Sequence, residues 1–267
     1  MSERWFDVAR DQARFRVHVA GEGPPLLILH GLGDFGERVR QEAPEGFRVA
    51  SFDQRGHGST VPLTESSAYD FSEFTRDALA VLDALDAQDE ANWQRVIVEG
   101  SSMGASVALR LALVVPERIE HLLLTGIAFG DRQSTVAEAF ASMATSLETA
   151  GSIRDWLAER DASGQGSSEA SRARLQAWQH HDLAALCTLL RTVGAAQPVE
   201  DLARLGQTGV STSIVAWPDD PIHPLELAER IAATMAARLR IFSDSTLPLE
   251  QPSLIGRAHL QAIAHLS

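Results

Sequence analysis

The sequence predicts an α/β protein built on a mainly parallel sheet. Three observations point there. Short apolar runs of strand length alternate with segments of helical periodicity along most of the 267 residues. One long stretch, about residues 131–205, breaks that alternation with helical signal alone. A glycine-flanked serine, Ser102, stands where a strand gives way to a helix.

Residues 15–19 alternate apolar and polar and predict a strand, and Gly21-Glu22-Gly23-Pro24 predicts a turn. Residues 26–29 and 47–52 read as buried strands. From 70 to 85, Phe71, Phe74, Ala78, Val81, Leu82 and Leu85 recur at helical spacing. Residues 96–98 predict a central strand, 103–115 an apolar helix stopped by Pro116, and 122–124 the next strand. Strand and helix alternate again at 213–217, 224–237 and 239–242, and a last helix covers about 252–266. The expected organisation is therefore a core of residues 1–130 and 206–267, with residues 131–205 inserted as a helical cap. A flexible loop, Ser163-Gly164-Gln165-Gly166-Ser167-Ser168, interrupts that insertion.

Composition excludes several classes of function. A net charge of −13 repels phosphate backbones, so nucleic acid is not an expected partner. No apolar run approaches the roughly eighteen residues that cross a membrane. The first residues lack the basic, apolar, small-residue order of a signal peptide, and a cytoplasmic location is expected. The single cysteine, Cys187, permits no internal disulfide and reads as a small buried apolar residue. No spacing of His, Cys and carboxylate residues reads as a metal site. Gly31-Leu32-Gly33 lacks the third glycine of a phosphate loop, so no cofactor is expected. The expected partner is a small-molecule substrate.

Gly100-Ser101-Ser102-Met103-Gly104 fits G-x-S-x-G between a strand and a helix. The chemistry needs that context. Small flanking residues let strand and helix approach closely, and the serine oxygen is left exposed at a helix N-terminus whose dipole favours developing negative charge.

Three further segments stand in order around this elbow. His30-Gly31-Leu32-Gly33 follows an apolar strand, Asp53-Gln54-Arg55-Gly56-His57-Gly58-Ser59 follows another, and Trp217-Pro218-Asp219-Asp220-Pro221-Ile222-His223-Pro224 follows the helical insertion. Together with the elbow they resemble the α/β-hydrolase superfamily over nearly the whole chain. The resemblance implies an α/β-hydrolase fold with Ser102 as nucleophile. It also implies an oxyanion hole from two backbone N–H groups, those of Met103 and Leu32, with Gly33 the second choice for the latter. His30 and His57 are expected to hold loops rather than to catalyse.

The resemblance places the acid at Asp220, four residues before Pro224, with Asp219 one position early. It places the base after the last strand, where Pro248, Glu250 and Pro252 fall in register and Thr246 occupies the histidine position. A threonine hydroxyl cannot shuttle a proton near neutral pH as imidazole can. Among the other histidines, His259 and His265 are expected at the surface or end of the last helix, beside a buried stripe that includes Leu254, Ile255, Ala258 and Ile263. That stripe is expected to pack away from the serine. His180 and His181 are expected on a polar cap surface, and His18 and His121 in structural places. His223, three residues after Asp220 and just before Pro224, is the best replacement base. Trp156, Trp178, Leu186 and Leu190 are expected to form an apolar lid.

These features favour a serine hydrolase of a small, fairly apolar ester, thioester or lactone. Thr246 keeps two alternatives open: a non-hydrolytic enzyme on the same scaffold (lyase, cyclase or cofactor-free oxygenase), or a binding protein that has lost its triad.

Overall fold

The computed structural model describes residues 3–88, 93–128, 133–162, 172, 175–196, 202–244, 251 and 253–263. Eight strands form one sheet in the order β1-β2-β4-β3-β5-β6-β7-β8. They are β1 Arg4–Arg10, β2 Ala13–Gly21, β3 Pro25–Leu29, β4 Arg48–Phe52, β5 Val96–Ser101, β6 Ile119–Thr125, β7 Ser211–Ala216 and β8 Arg238–Ile241. β1 and β2 pair antiparallel, as do β2 and β4; every later pairing is parallel. This is the α/β-hydrolase fold, and every strand expected from the sequence is present.

The helices are α1 Gly36–Gln41, α2 Phe71–Gln88, α3 Met103–Val114, α4 Gln133–Ala150, α5 Ile153–Ala162, α6 Leu183–Ala195, α7 Leu202–Gln207, α8 Leu225–Met235 and α9 Ser253–Ile263. Between β6 and β7 the described chain contains helices and no strand. No helix among the described residues is long and apolar enough to cross a membrane.

Strand alternation splits the core into two layers. Along β5, Val96 and Val98 join the large cluster that includes α2, α3 and the α4–α6 helices. Ile97 faces the other way, into a smaller cluster with Leu26, Ile28, Phe47, Val49 and Leu123, against which Val39 of the first helix and Leu260 and Ile263 of the last helix pack. Glu99, two residues after Ile97, shares this second face. β6 alternates likewise, which puts His121, Leu123 and Thr125 on the α9 side.

The Asp53–Ser59 turn is anchored by charge. Asp53 Oδ1 accepts from the Gly36 N–H at 2.8 Å, and Oδ2 accepts from the Ser59 N–H and hydroxyl, each at 2.8 Å. Arg55 and Arg10 both bind the buried carboxylate of Asp77 on α2, at 2.7 and 2.6 Å. The turn is thereby pinned to a helix on the large-core side, and its histidine is fixed next to the β3–α1 loop.

Candidate active site

Ser102 sits between β5 and α3 at φ 52°, ψ −114°, a sparsely populated combination for a residue with a side chain. Its neighbours over-determine it. The Ser102 N–H donates to the Thr125 carbonyl at 3.0 Å, and its own carbonyl accepts from Ser106 at 3.2 Å. A Cβ on Gly104 would lie 2.0 Å from the Leu29 carbonyl oxygen, and one on Gly100 would lie 2.5 Å from the Gly104 oxygen. Only glycine fits at either place, which is why the motif's flanking positions are sterically fixed.

His223 Nε2 lies 2.9 Å from Ser102 Oγ, and its Nδ1 lies 2.8 Å from Asp220 Oδ2. A carboxylate at Nδ1 holds the proton there, leaving Nε2 to accept from the serine hydroxyl. Asp220 also accepts the Trp217 indole N–H at 2.9 Å, and through Oδ1 the backbone N–H groups of Ile222 and His223 at 2.9 and 3.0 Å. Burial alone would raise the Asp220 carboxyl. The hydrogen bond and charge of His223, with the donors of Trp217 and Ile222, outweigh it and hold the group well below the ordinary carboxylate range. Asp219, by contrast, is exposed in a left-handed turn at φ 60°.

The β3–α1 loop lies across from this chain of Ser102, His223 and Asp220 contacts. Gly33 N–H donates to His57 Nε2 at 3.0 Å, which takes it out of contention for an oxyanion. Among the described residues the N–H groups of Leu32 and Met103 have no acceptor, and Met103 opens α3, where no intrahelical partner exists. His30 is structural, as expected: Nε2 accepts from the Gln54 N–H at 2.9 Å and Nδ1 contacts the Gly31 carbonyl at 2.8 Å.

A cavity of about 340 Å³ opens beside Ser102. Leu32, Phe140, Met143, Trp178, Leu190 and Ile222 give it apolar walls. Of the four lid residues expected from the sequence, Trp178 and Leu190 line it. Trp156 is instead stacked behind Trp178 at 5.6 Å, and Leu186 is buried in the large core. Cys187 is buried, which pushes its thiol up to about 11.

Three expectations are corrected, one being that the stripe of the last helix packs away from the serine, since its Ile255 lines the same cavity as Ser102. His181 is not a polar surface residue; it is buried, with Nδ1 accepting from Gly58 N–H at 2.9 Å and Nε2 contacting the Gly33 carbonyl at 2.9 Å. His259 is not at the helix surface either. Among the described side chains of α9 it is the buried one, with Nε2 3.0 Å from the Thr125 hydroxyl, while Leu254, Ile255, Ala258 and Ile263 are only half-buried. The helix therefore turns a face toward Thr125, and Ile255 and Gly256 line the same cavity as Ser102. His180 is exposed, as expected. Thr246 and His265 lie outside the described residues. Sequence reasoning missed Trp217 as the second clamp on Asp220, and it missed Glu99 as a cavity residue.

A family model described as the alpha/beta hydrolase family matches residues 26–257. An uncharacterized protein of Mycobacterium tuberculosis, Rv2715, is 29% identical over 160 residues, covering 55% of this chain and 44% of that protein. Epoxide hydrolase B of the same organism is 28% identical over 127 residues, covering 44% of this chain and 34% of the relative. The chain thus spans less than half the length of these curated relatives. In structure it is similar to the esterase RhEst1 from Rhodococcus sp. ECU1013, with a TM-score of 0.75, 19% identity and 100% of both chains covered. That likeness is one of fold.

Proposed function

Because the chain belongs to the alpha/beta hydrolase family, we propose that it is a serine hydrolase of small, largely apolar carboxylic esters, thioesters or lactones. One observation carries the reading: the continuous chain of contacts from Ser102 Oγ through the His223 ring to Asp220, at 2.9 and 2.8 Å. Both distances lie within hydrogen-bond reach for proton transfer. The apolar cavity beside the serine supports the substrate class, and an esterase and an epoxide hydrolase stand among the similar proteins.

Ser102 Oγ attacks the carbonyl carbon while its proton passes to His223 Nε2. The carbonyl oxygen gains the negative charge, and the Leu32 and Met103 N–H groups donate to it. Asp220 stabilises the imidazolium that forms. The tetrahedral species collapses as His223 returns the proton to the leaving alkoxide or thiolate, giving an acyl-serine. Water then attacks the acyl carbon as His223 takes its proton, and the second tetrahedral species expels Ser102 Oγ, which regains that proton from His223 as the acid leaves. Each oxyanion donor is worth about 3 kcal/mol of barrier in comparable sites. In this reading residues 131–205 are a cap over a core of 1–130 and 206–267, and the enzyme works on a small cytoplasmic substrate.

The alternatives, a non-hydrolytic enzyme or a binding protein, rest on Thr246 in the expected base position, and the His223 contact with Ser102 supports the hydrolase reading over them. Labelling with a fluorophosphonate tests the proposal. The wild type is expected to label at Ser102, with no label in Ser102→Ala and little in His223→Ala. An unlabelled wild type that also leaves a panel of short-chain esters intact would overturn it.

A further inference from the structure

The cavity beside Ser102 continues inward between α1 and α9, where Val39, Ile255 and Gly256 wall it and Glu99 lines it. Glu99 Oε2 is fully enclosed and has no hydrogen-bond partner among the described residues. Of the enclosed side-chain atoms left in that condition, it is the one that borders this cavity. An enclosed carboxyl oxygen without a donor is destabilising, and such groups in native structures mark strain, a catalytic role, or a place where water, an ion or a ligand supplies the partner.

The charged side chains that line the cavity with it are two carboxylates and one guanidinium. From the β3–α1 segment, Asp34, Arg38 and Glu42 line the same lobe. Arg38 is committed to both carboxylates: it pairs with Asp34 and reaches Glu42 at 2.7 Å. From α9 the facing group is His259, which burial keeps uncharged and which contacts Thr125. The lid contributes apolar side chains, and His223 is turned to Ser102 and Asp220. The lobe therefore holds two carboxylates, one committed cation and an unpartnered carboxyl, three residues along β5 from the nucleophile.

We infer that this inner lobe is a subsite for a primary ammonium group, so that the preferred substrate carries an amine remote from its scissile carbonyl. The ammonium donates to the Glu99 carboxylate, which lines the cavity, while its methylene stem lies against Val39 and Ile255. Burial, with the neighbouring charge of Glu42 second, pushes the Glu99 carboxyl up to about 7. Binding a cation requires the ionised form, so it releases a proton and strengthens as pH rises through 7. A neutral ligand lacks that dependence.

The identity of the substrate rests on the hydrolase reading, but the subsite itself is measured without catalysis. Ser102→Ala protein is titrated calorimetrically with hexylammonium and with hexan-1-ol. At pH 8 hexylammonium is expected to bind about tenfold or more tightly than the alcohol, the range of one charge-assisted hydrogen bond. The preference should shrink at pH 6 and vanish in a Ser102→Ala/Glu99→Gln protein. Should that variant not fold, Glu99→Met supplies the same comparison with an apolar side chain of similar length. Glu42→Gln should move the midpoint of the pH dependence down. Equal binding of the two ligands, or an ammonium preference that survives Glu99→Gln, overturns the inference. In parallel, wild-type hydrolysis of p-nitrophenyl esters ending in ammonium or in methyl should differ in KM rather than kcat. If neither ester is cleaved but Glu99-dependent ammonium binding persists, the hydrolase reading fails and the subsite stands. If both are cleaved alike and hexylammonium has no advantage, the subsite fails and the hydrolase reading stands.

Discussion

Asp220 and His223 stand three residues apart on one turn, and the carboxylate that orients the imidazole also shapes the backbone that carries it. Oδ2 contacts His223 Nδ1 at 2.8 Å, while Oδ1 accepts the Ile222 and His223 N–H groups. Carboxylate and imidazole are thus one local unit, delivered to Ser102 by the loop between β7 and α8. Removing any member should disable the whole. His223→Ala and Ser102→Ala are each expected to lower kcat by about 10³-fold or more, and the double variant by no more than either alone. Steady-state kinetics on a short-chain ester decides it; additive losses would mean that the two residues act separately.

Asp220→Ala should cost as much as His223→Ala, because it removes both the partner of Nδ1 and the turn's two backbone contacts. Trp217→Phe should be milder, since it deletes one donor to a carboxylate that keeps three. A loss of about tenfold in kcat with KM little changed is expected, the scale of one hydrogen bond to a charged group. A KM-only effect would place Trp217 in substrate binding instead.

Much of this arrangement was legible in the residues. The elbow's glycines are dictated by contact with Leu29 and Gly104 backbone, so their spacing carries steric information that survives without any alignment. His223 was legible because three residues after a carboxylate and just before Pro224 is a place fixed by turn and helix start. β1 was not legible. Its hairpin turns at Asp11, held at φ 51° without the glycine that usually marks such a bend, and the strand shows only one fully buried residue, Val8. α1 has six residues, too few to display a period. His181 and His259 were misjudged because a neutral imidazole with fixed partners is at home in a core, and those partners, Gly33, Gly58 and Thr125, are remote in sequence.

Gly33 is held from both sides by histidines, its N–H by His57 and its carbonyl by His181 from the helical insertion. Burial lowers both imidazoles, with neighbouring histidines adding to the shift at His57, so they stay neutral: His57 Nε2 accepts from the Gly33 N–H, while His181 accepts from Gly58 through Nδ1 and donates to the Gly33 carbonyl through Nε2. Fixing Gly33 fixes the adjacent Leu32 N–H. His181→Ala is expected to reduce kcat about tenfold with little change in KM, since a misplaced oxyanion donor is felt mainly in the transition state. Unchanged kcat would show that the loop holds its shape without the insertion.

Asp77 is the shared carboxylate of Arg10 and Arg55, with a side chain only 2% exposed. Asp77→Ala leaves the buried Arg55 guanidinium with only Glu73, 3.8 Å away, as a countercharge and should destabilise the fold by about 3 kcal/mol in urea unfolding. Arg14→Ala, which breaks the exposed pair with Asp7, should fall within about 1 kcal/mol of wild type. Similar losses in the two variants would contradict the distinction.

Acid stability follows from the polar layer beneath α9. Burial lowers His121 to about 4 and His259 to about 3, against an unfolded value of 6.5. Below pH 6.5 the unfolded chain takes up these protons and the folded chain does not, so stability falls with pH and keeps falling until the folded groups titrate at about 4 and 3. Glu99 works in the opposite direction. Its folded value of about 7 lies above the unfolded 4.5, so between those values the folded chain binds one proton more, and ionising Glu99 on raising the pH costs stability. Two histidines against one carboxyl leave the unfolded chain ahead in proton uptake, and the buried His30, His57 and His181 add to it with the same sign. Stability measured by urea unfolding should therefore decline from pH 6.5 toward pH 4, by about 1.4 kcal/mol per pH unit for each net proton. His259→Gln, which keeps a hydrogen-bonding group near Thr125, should flatten that slope by about one proton, and Glu99→Gln should steepen it between pH 5 and 7. A slope that His259→Gln leaves unchanged would mean that His259 is protonated in the folded protein and that burial does not govern it.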